Sequence, residues 1–213
     1  KNGFGWYLLA ISRERAGDFA SAITAYETAL RLLPDHAEVA NDLGRLAYRL
    51  GMKEHAEKLF RHFLARFPNH HEGCNNLACT LRDRQAFGDA IELLRPAIVA
   101  NPQVAMLWNT MGTVMAEQGD YANAEIFFRE AVRLEPDFAK AIYNLGNARL
   151  SQGDAEEALT FCERALTYEM PEQERQMMRL SLSTILIALG RVGEGWDVYE
   201  SRLHPAHPDV THF

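Results

Sequence analysis

Apolar residues recur at helical spacing from Met106 through Leu107, Met111 and Met115, break at Gln118-Gly119-Asp120, and resume through Ala124, Phe127, Phe128, Ala131 and Leu134. Residues three and four apart share one face of a helix, so the stretch predicts two amphipathic helices joined by a glycine turn. Pro136 closes the second helix, because proline lacks an N–H donor and restrains the residue before it. The pattern repeats along the chain. Steps of 34 residues back from Pro136 land on Pro102, Pro68 and Pro34, and Pro171 lies one residue past the next step forward. Gly119 corresponds to Gly17, Gly51 and Gly153, with Gln85 as the substitute, while Ala124 corresponds to Ala22, Ala56, Ala90 and Ala158. Ala131 maps to Ala29, Ala97 and Ala165, and Gly112 maps to Ala10, Gly44, Ala78 and Gly146. Small residues therefore return where two helices must approach within about 8–10 Å. Large ones return between them, as in Leu9, Leu43, Leu77, Met111 and Leu145, and in Tyr26, Phe60, Leu94 and Phe128. The predicted pairs are 3–15 and 19–32, 37–49 and 53–66, 71–83 and 87–100, 105–117 and 121–134, and 139–151 and 155–168. After Pro171 the register loosens, since Gly190 lies 37 residues after Gly153, and an altered sixth pair is predicted at about 173–189 and 192–203.

A 34-residue helical pair with this alternation of large and small positions resembles the tetratricopeptide repeat. The resemblance implies an all-α fold, a right-handed α-solenoid of helix pairs over residues 1–203. Its repeats run at about 3–36, 37–70, 71–104, 105–138 and 139–172, with the irregular sixth at 173–203, and residues 204–213 start a linker. The chain opens at Lys1 already inside a repeat, which reads as a piece of a longer protein.

Composition narrows the function. Lys and Arg number 22 against 29 Asp and Glu, a net charge of −7 that argues against nucleic acid and anionic membranes as partners. The apolar opening GFGWYLLAIS is interrupted by Arg13, Glu14 and Arg15, too soon for a membrane span. Cys74, Cys79 and Cys162 are odd in number, match no common zinc spacing, and read as small core residues of a reducing, cytoplasmic compartment. The sequence carries no glycine-rich phosphate loop, G-x-S-x-G or H-E-x-x-H, and His204, His207 and His212 lie on the tail. No catalytic residue, metal or cofactor is expected within the chain.

The resemblance implies that the first helix of each pair lines a concave groove that takes a protein or peptide. The positions carried over include Tyr7, Asn41, Arg45, Tyr48, Asn75, Arg82, Met106, Asn109, Tyr143 and Asn147, with Asn76 and Asn144 on the adjacent line. Asn41, Asn75 and Asn109 recur 34 apart. Such an amide ladder offers a donor and an acceptor to the backbone of an extended peptide, as similar ladders do in N-acetylglucosaminyl transferases that carry these repeats. Asp42 and Thr110 interrupt that ladder, and the same amides can equally bond between neighbouring helices. The groove's first half carries Arg15, Arg45, Arg49 and Arg82, and its second half turns apolar through Met106, Leu150, Met177 and Leu180. The arginines suit an acidic partner, or pair with Glu14, Glu38, Glu72 and Asp83 on the same wall. A two-lysine carboxylate clamp is not evident, since Tyr143 stands where it needs lysine.

Gly195, Trp196, Tyr199, Glu200 and Arg202 resemble the junction in bacterial proteins that join these repeats to a glycosyltransferase domain, some of which modify flagellins. This resemblance implies a module that recruits a protein acceptor, flagellin first, to the chain's own C-terminal domain beyond Phe213. The other reading is a scaffold that bridges proteins or self-associates as a homodimer through the sixth pair and Trp196.

Overall fold

The computed structural model describes residues 2–199. They form twelve helices and, among the described residues, no strand. In order these are α1 (Gly3–Arg15), α2 (Phe19–Leu32), α3 (Ala37–Arg49), α4 (Lys53–Arg66), α5 (His71–Asp83), α6 (Phe87–Ala100), α7 (Ala105–Glu117), α8 (Tyr121–Leu134), α9 (Ala139–Ser151), α10 (Ala155–Leu166), α11 (Glu172–Ala188) and α12 (Val192–Tyr199). They divide into two compact units, Lys1–Pro102 with α1–α6 and Gln103–Phe213 with α7–α12. Each unit is a solenoid run of helix pairs, in which a first helix packs on its own second helix and on the second helix of the pair before it in the unit.

The recurring small residues are what let the helices close on one another. A Cβ added at Gly44 would lie 2.6 Å from Cε1 of Phe60, and one at Gly112 would lie 2.6 Å from Cε1 of Phe128. Ala22, Ala56, Ala124 and Ala158 are fully buried. In the first unit Tyr26, Phe60 and Phe63 fill the space between pairs; in the second, Phe128 packs with Ala124, Leu145 and Ala148. In the fifth pair the aromatic position holds Cys162 instead, which clusters with Ile185 and Leu186 of α11. Burial raises its thiol to about 12 and that of Cys74 to about 11.

The turns inside the pairs follow one chemistry. Gly119 adopts φ +84°, a left-handed conformation that ends α7 without a Cβ clash, and the Asp120 carboxylate then caps α8 by accepting from the Asn123 amide. The Gly-Asp pairs at 17–18 and 153–154 do the same. The third pair departs on both counts: Gln85 is forced to φ 61°, and Ala86 offers no capping side chain. A non-glycine residue in that region costs roughly 1–2 kcal/mol, partly offset because glycine loosens the unfolded chain. Gln85→Gly is therefore expected to raise stability by about 0.5–1 kcal/mol, and Ala86→Asp by about 1 kcal/mol more, read as stepwise increases in the urea midpoint.

The register slip before the sixth pair has a visible origin. α10 ends at Leu166, two residues short of the expected 168, and α11 runs for 17 residues from Glu172 where the other first helices have 13. The carbonyls left open there are taken by Arg175, whose guanidinium donates to Leu166 O (3.0 Å) and Tyr168 O (3.2 Å). Pro171 occupies the cap of α11, a position that needs no intrahelical N–H bond. In α12, Gly195 is buried against Ile187, and its carbonyl accepts from the Ser183 hydroxyl at 2.8 Å. Glu200, Arg202 and the tail from His204 lie outside the described residues.

One face of α1 differs from its later copies. Leu9 is 38% exposed, whereas Leu43, Leu77 and Leu145, covered by the preceding second helix in their units, are 1–2% exposed. Trp6 is likewise exposed where Ala40 and Cys74 are buried.

Candidate protein-binding site

On the first helices of each unit, polar side chains join successive pairs by a regular step. Tyr7 donates to Asp42 Oδ2 (2.6 Å), Asn76 Nδ2 to Asn41 Oδ1 (3.3 Å), Tyr48 to Asp83 Oδ2 (2.7 Å) and Arg49 to Glu14 Oε1 (2.9 Å), each 35 residues apart. In the second unit Asn144 Nδ2 donates to Asn109 Oδ1 at 2.9 Å with the same step. The extra residue beyond the 34-residue period moves the contact from one line of the groove to the next. Tyr143 bonds Ser181 across 38 residues at 2.6 Å, the step lengthened by the three residues gained before the sixth pair.

The phenols in this network remain donors. Burial, reinforced by a hydrogen bond to a carboxylate, pushes Tyr7, Tyr26 and Tyr48 well above the ordinary tyrosine range. Burial opposes the charge on Asp83, yet the Tyr48 hydroxyl and the Arg82 guanidinium hold its carboxyl below the usual value. Arg82 lies along its own neighbour, with Nη2 2.6 Å from Asp83 Oδ1.

The expected groove residues thus fall into different settings. Asn41 and Asn109 are buried and bonded to the neighbouring pair, while Asn75, Asn76, Asn144, Asn147, Tyr7, Tyr48, Tyr143, Arg82 and Met106 are half-buried. Arg45 is exposed, with Nη1 3.6 Å from Asp42 Oδ1.

Two cavities open on these faces. In the first unit a hollow of about 360 Å³ is lined by Ile11, Glu14, Arg15, Tyr26, Asp42, Arg45 and Arg49. In the second, about 370 Å³ is lined by Lys140, Tyr143, Asn144, Gln173, Glu174, Met177 and Met178, with Met177 44% exposed. The first set includes Tyr26 from a second helix, which the groove positions of the repeat omit. Its signal in the sequence is a hydroxyl at a buried position held elsewhere by Phe60 and Phe128, and a buried hydroxyl needs a partner; here it donates to Glu14 Oε2 at 2.8 Å. Neither cavity presents a nucleophile with a base beside it. Among the described residues no group of three or more His, Cys, Asp and Glu is placed to hold a metal ion, and no described helix is long and apolar enough to cross a membrane.

At the end of the second unit Trp196 is 57% exposed and stands edge-on to Tyr199, ring centroids 5.1 Å apart.

Comparison with known proteins adds three findings. A tetratricopeptide repeat model matches residues 7–71 and 75–137, and a second model of that repeat matches 115–182. Protein FlbA of Caulobacter vibrioides is 52% identical over 211 residues, covering 99% of this chain and 35% of the relative, so the chain spans about a third of that relative's length. Among solved structures, PilW, a type IV pilus biogenesis factor, superposes with a TM-score of 0.79 at 21% identity, over 94% of this chain and 91% of its own. YrrB, described as having an unusual peptide-binding site, superposes with a TM-score of 0.60 at 20% identity, over 78% and 86% of the two chains. At these identities the structural likeness speaks for the fold.

Proposed function

This chain belongs to the tetratricopeptide repeat family of protein-interaction modules, and from that premise we propose that it recruits a protein acceptor to a glycosyltransferase domain in the same polypeptide, after Phe213. The observation that carries the binding half is the cavity of the second unit. Met177 stands exposed between the polar groups of Lys140, Asn144 and Gln173, which is the arrangement of an apolar anchor pocket with a rim that fixes orientation. The transferase half rests on the Gly195-Trp196-x-x-Tyr199 arrangement and its resemblance to the junction of such fusions. A relative about three times longer than this chain is compatible with it. Flagellin is the acceptor named first, on that same resemblance.

The test immobilises this chain and offers it purified flagellin. The wild type is expected to retain it, and Met177→Glu, which sets a charge where an apolar side chain would bury, is expected to weaken retention by about tenfold or more. Equal retention by the variant, with unchanged circular dichroism, removes the cavity from the account. The second reading, a self-associating scaffold, is favoured by the exposure of Trp196. It predicts a dimer in sedimentation that Trp196→Ala returns to monomer, with flagellin not retained.

A further inference from the structure

The hollow of the first unit carries a charge imbalance opposite in sign to that of the chain. The whole sequence is at −7, yet three guanidiniums, Arg15, Arg45 and Arg49, meet two carboxylates, Glu14 and Asp42, around about 360 Å³. Both carboxylates are already engaged by phenols: Glu14 accepts from Tyr26 at 2.8 Å and Asp42 from Tyr7 at 2.6 Å. Arg49 spends one N–H on Glu14 and lies over the Phe19 ring, 5.2 Å from its centroid, which orients the guanidinium plane. Arg45 reaches Asp42 only at 3.6 Å, and both arginine side chains stay 55% exposed. Arg15 is exposed and pairs with no carboxylate among the described residues. Each guanidinium has five donors in a planar fork, so most of the donors around this cavity are unspent. The second unit's cavity lacks this feature, because its Lys140 is balanced by Glu174.

We propose that this hollow binds the carboxylate side chain of an acidic segment in the partner protein, making the α1–α3 end of the groove selective for acid. The inference rests on the groove being the binding face. A singly charged carboxylate matches the surplus of one guanidinium, whereas a phosphate dianion would be set against Glu14 and Asp42 in the same wall. Ile11 and the Tyr26 ring supply apolar walls for the methylene stem of a glutamate.

The experiment follows the anisotropy of a fluorescein-labelled decapeptide of alternating Glu and Ala with the 213-residue chain, beside Gln–Ala and Lys–Ala peptides. The Glu peptide is expected to bind at least about tenfold more tightly than either control, and to weaken as salt rises from about 50 to about 300 mM. Arg15→Ala and Arg45→Ala are each expected to weaken it several-fold to about tenfold, because each removes charge-assisted contacts. Arg31→Ala, on the exposed side of α2, serves as the charge-matched control. Arg15→Ala decides the matter if Arg45→Ala proves unstable, since Arg15 leaves no carboxylate unpaired. Equal binding of the Gln peptide, an unchanged affinity in Arg15→Ala, or displacement of the probe by inorganic phosphate at lower concentration than by acetate overturns the proposal. If the Glu peptide fails while Met177→Glu still governs flagellin retention, the acid subsite falls and the recruitment reading stands. If the peptide binds and flagellin is not retained, the converse holds.

Discussion

Truncating Phe60 to alanine is expected to lower the unfolding free energy by about 3–5 kcal/mol, the cost of a large aromatic lost from a packed core. That is a large share of the roughly 5–15 kcal/mol that holds a domain of this kind together. The ring is 1% exposed, and three of its atoms would lie within 3.1 Å of a Cβ at Gly44, so it fills the gap that the glycine leaves between α3 and α4. The same geometry fixes the sign of a second change. Gly44→Ala in the wild type forces the ring to shift and is expected to cost about 1–3 kcal/mol. In the Phe60→Ala background the new methyl enters empty space, and its cost should vanish or reverse, helped by alanine's higher helix propensity. Urea unfolding of the four proteins, followed by circular dichroism, gives the coupling directly. Additive losses would mean that the ring does not rest on Gly44 in solution.

This contact also explains how the fold could be read from the chain. The pairing of a small residue in one helix with a large one in the next is local, it recurs at steps of 34 through the first four pairs, and each copy checks the others. The turn glycines are legible for the same reason: Gly17, Gly51, Gly119 and Gly153 all take positive φ, and Gln85, read as the substitute, is held there at φ 61°. The groove was legible as a set of lines but not as a set of bonds. Asn41, Asn75 and Asn109 lie on one line by period, yet Asn41 bonds Asn76 and Asn109 bonds Asn144, one residue further on. A period states which residues are equivalent; the offset between stacked helices decides which ones meet, and no single repeat contains that offset. The Arg149 node was hidden for a similar reason. Arg149 is 2.5 Å from both Asp154 Oδ2 and Glu157 Oε2 and 3.2 Å from Glu125 Oε2, joining α8, α9 and α10; Arg13 and Asp18 repeat one of these pairs and Glu57 repeats Glu125, but no other repeat carries all four residues. Burial opposes the charge of Glu125, and Gln152, Arg129 and Arg149 together still hold its carboxyl below the usual range.

Asn144→Leu should cost about 1–3 kcal/mol of stability, and Asn109→Leu less than about 1 kcal/mol, although the two side chains share one hydrogen bond. The difference comes from where each amide sits. Asn109 is 5% exposed, and its Oδ1 accepts from Asn144 Nδ2 at 2.9 Å, so Asn144→Leu leaves a buried acceptor without its donor. Asn144 is half-buried, lines the cavity beside Met177, and can turn to water when its partner is lost. The double variant should be less destabilised than the sum of the two, because removing both ends leaves no group unsatisfied. Binding should follow the same order, for a different reason. The side-chain carbonyl of Asn144 has no partner among the described residues and borders the cavity, so Asn144→Leu is expected to weaken flagellin retention about tenfold, while Asn109→Leu weakens it only as far as it unfolds the chain. Retention measured well below each variant's melting temperature separates the two effects. If Asn109→Leu, still folded, abolishes retention and Asn144→Leu leaves it intact, the buried line of amides contacts the ligand and the half-buried line supports it, the reverse of the order drawn from burial.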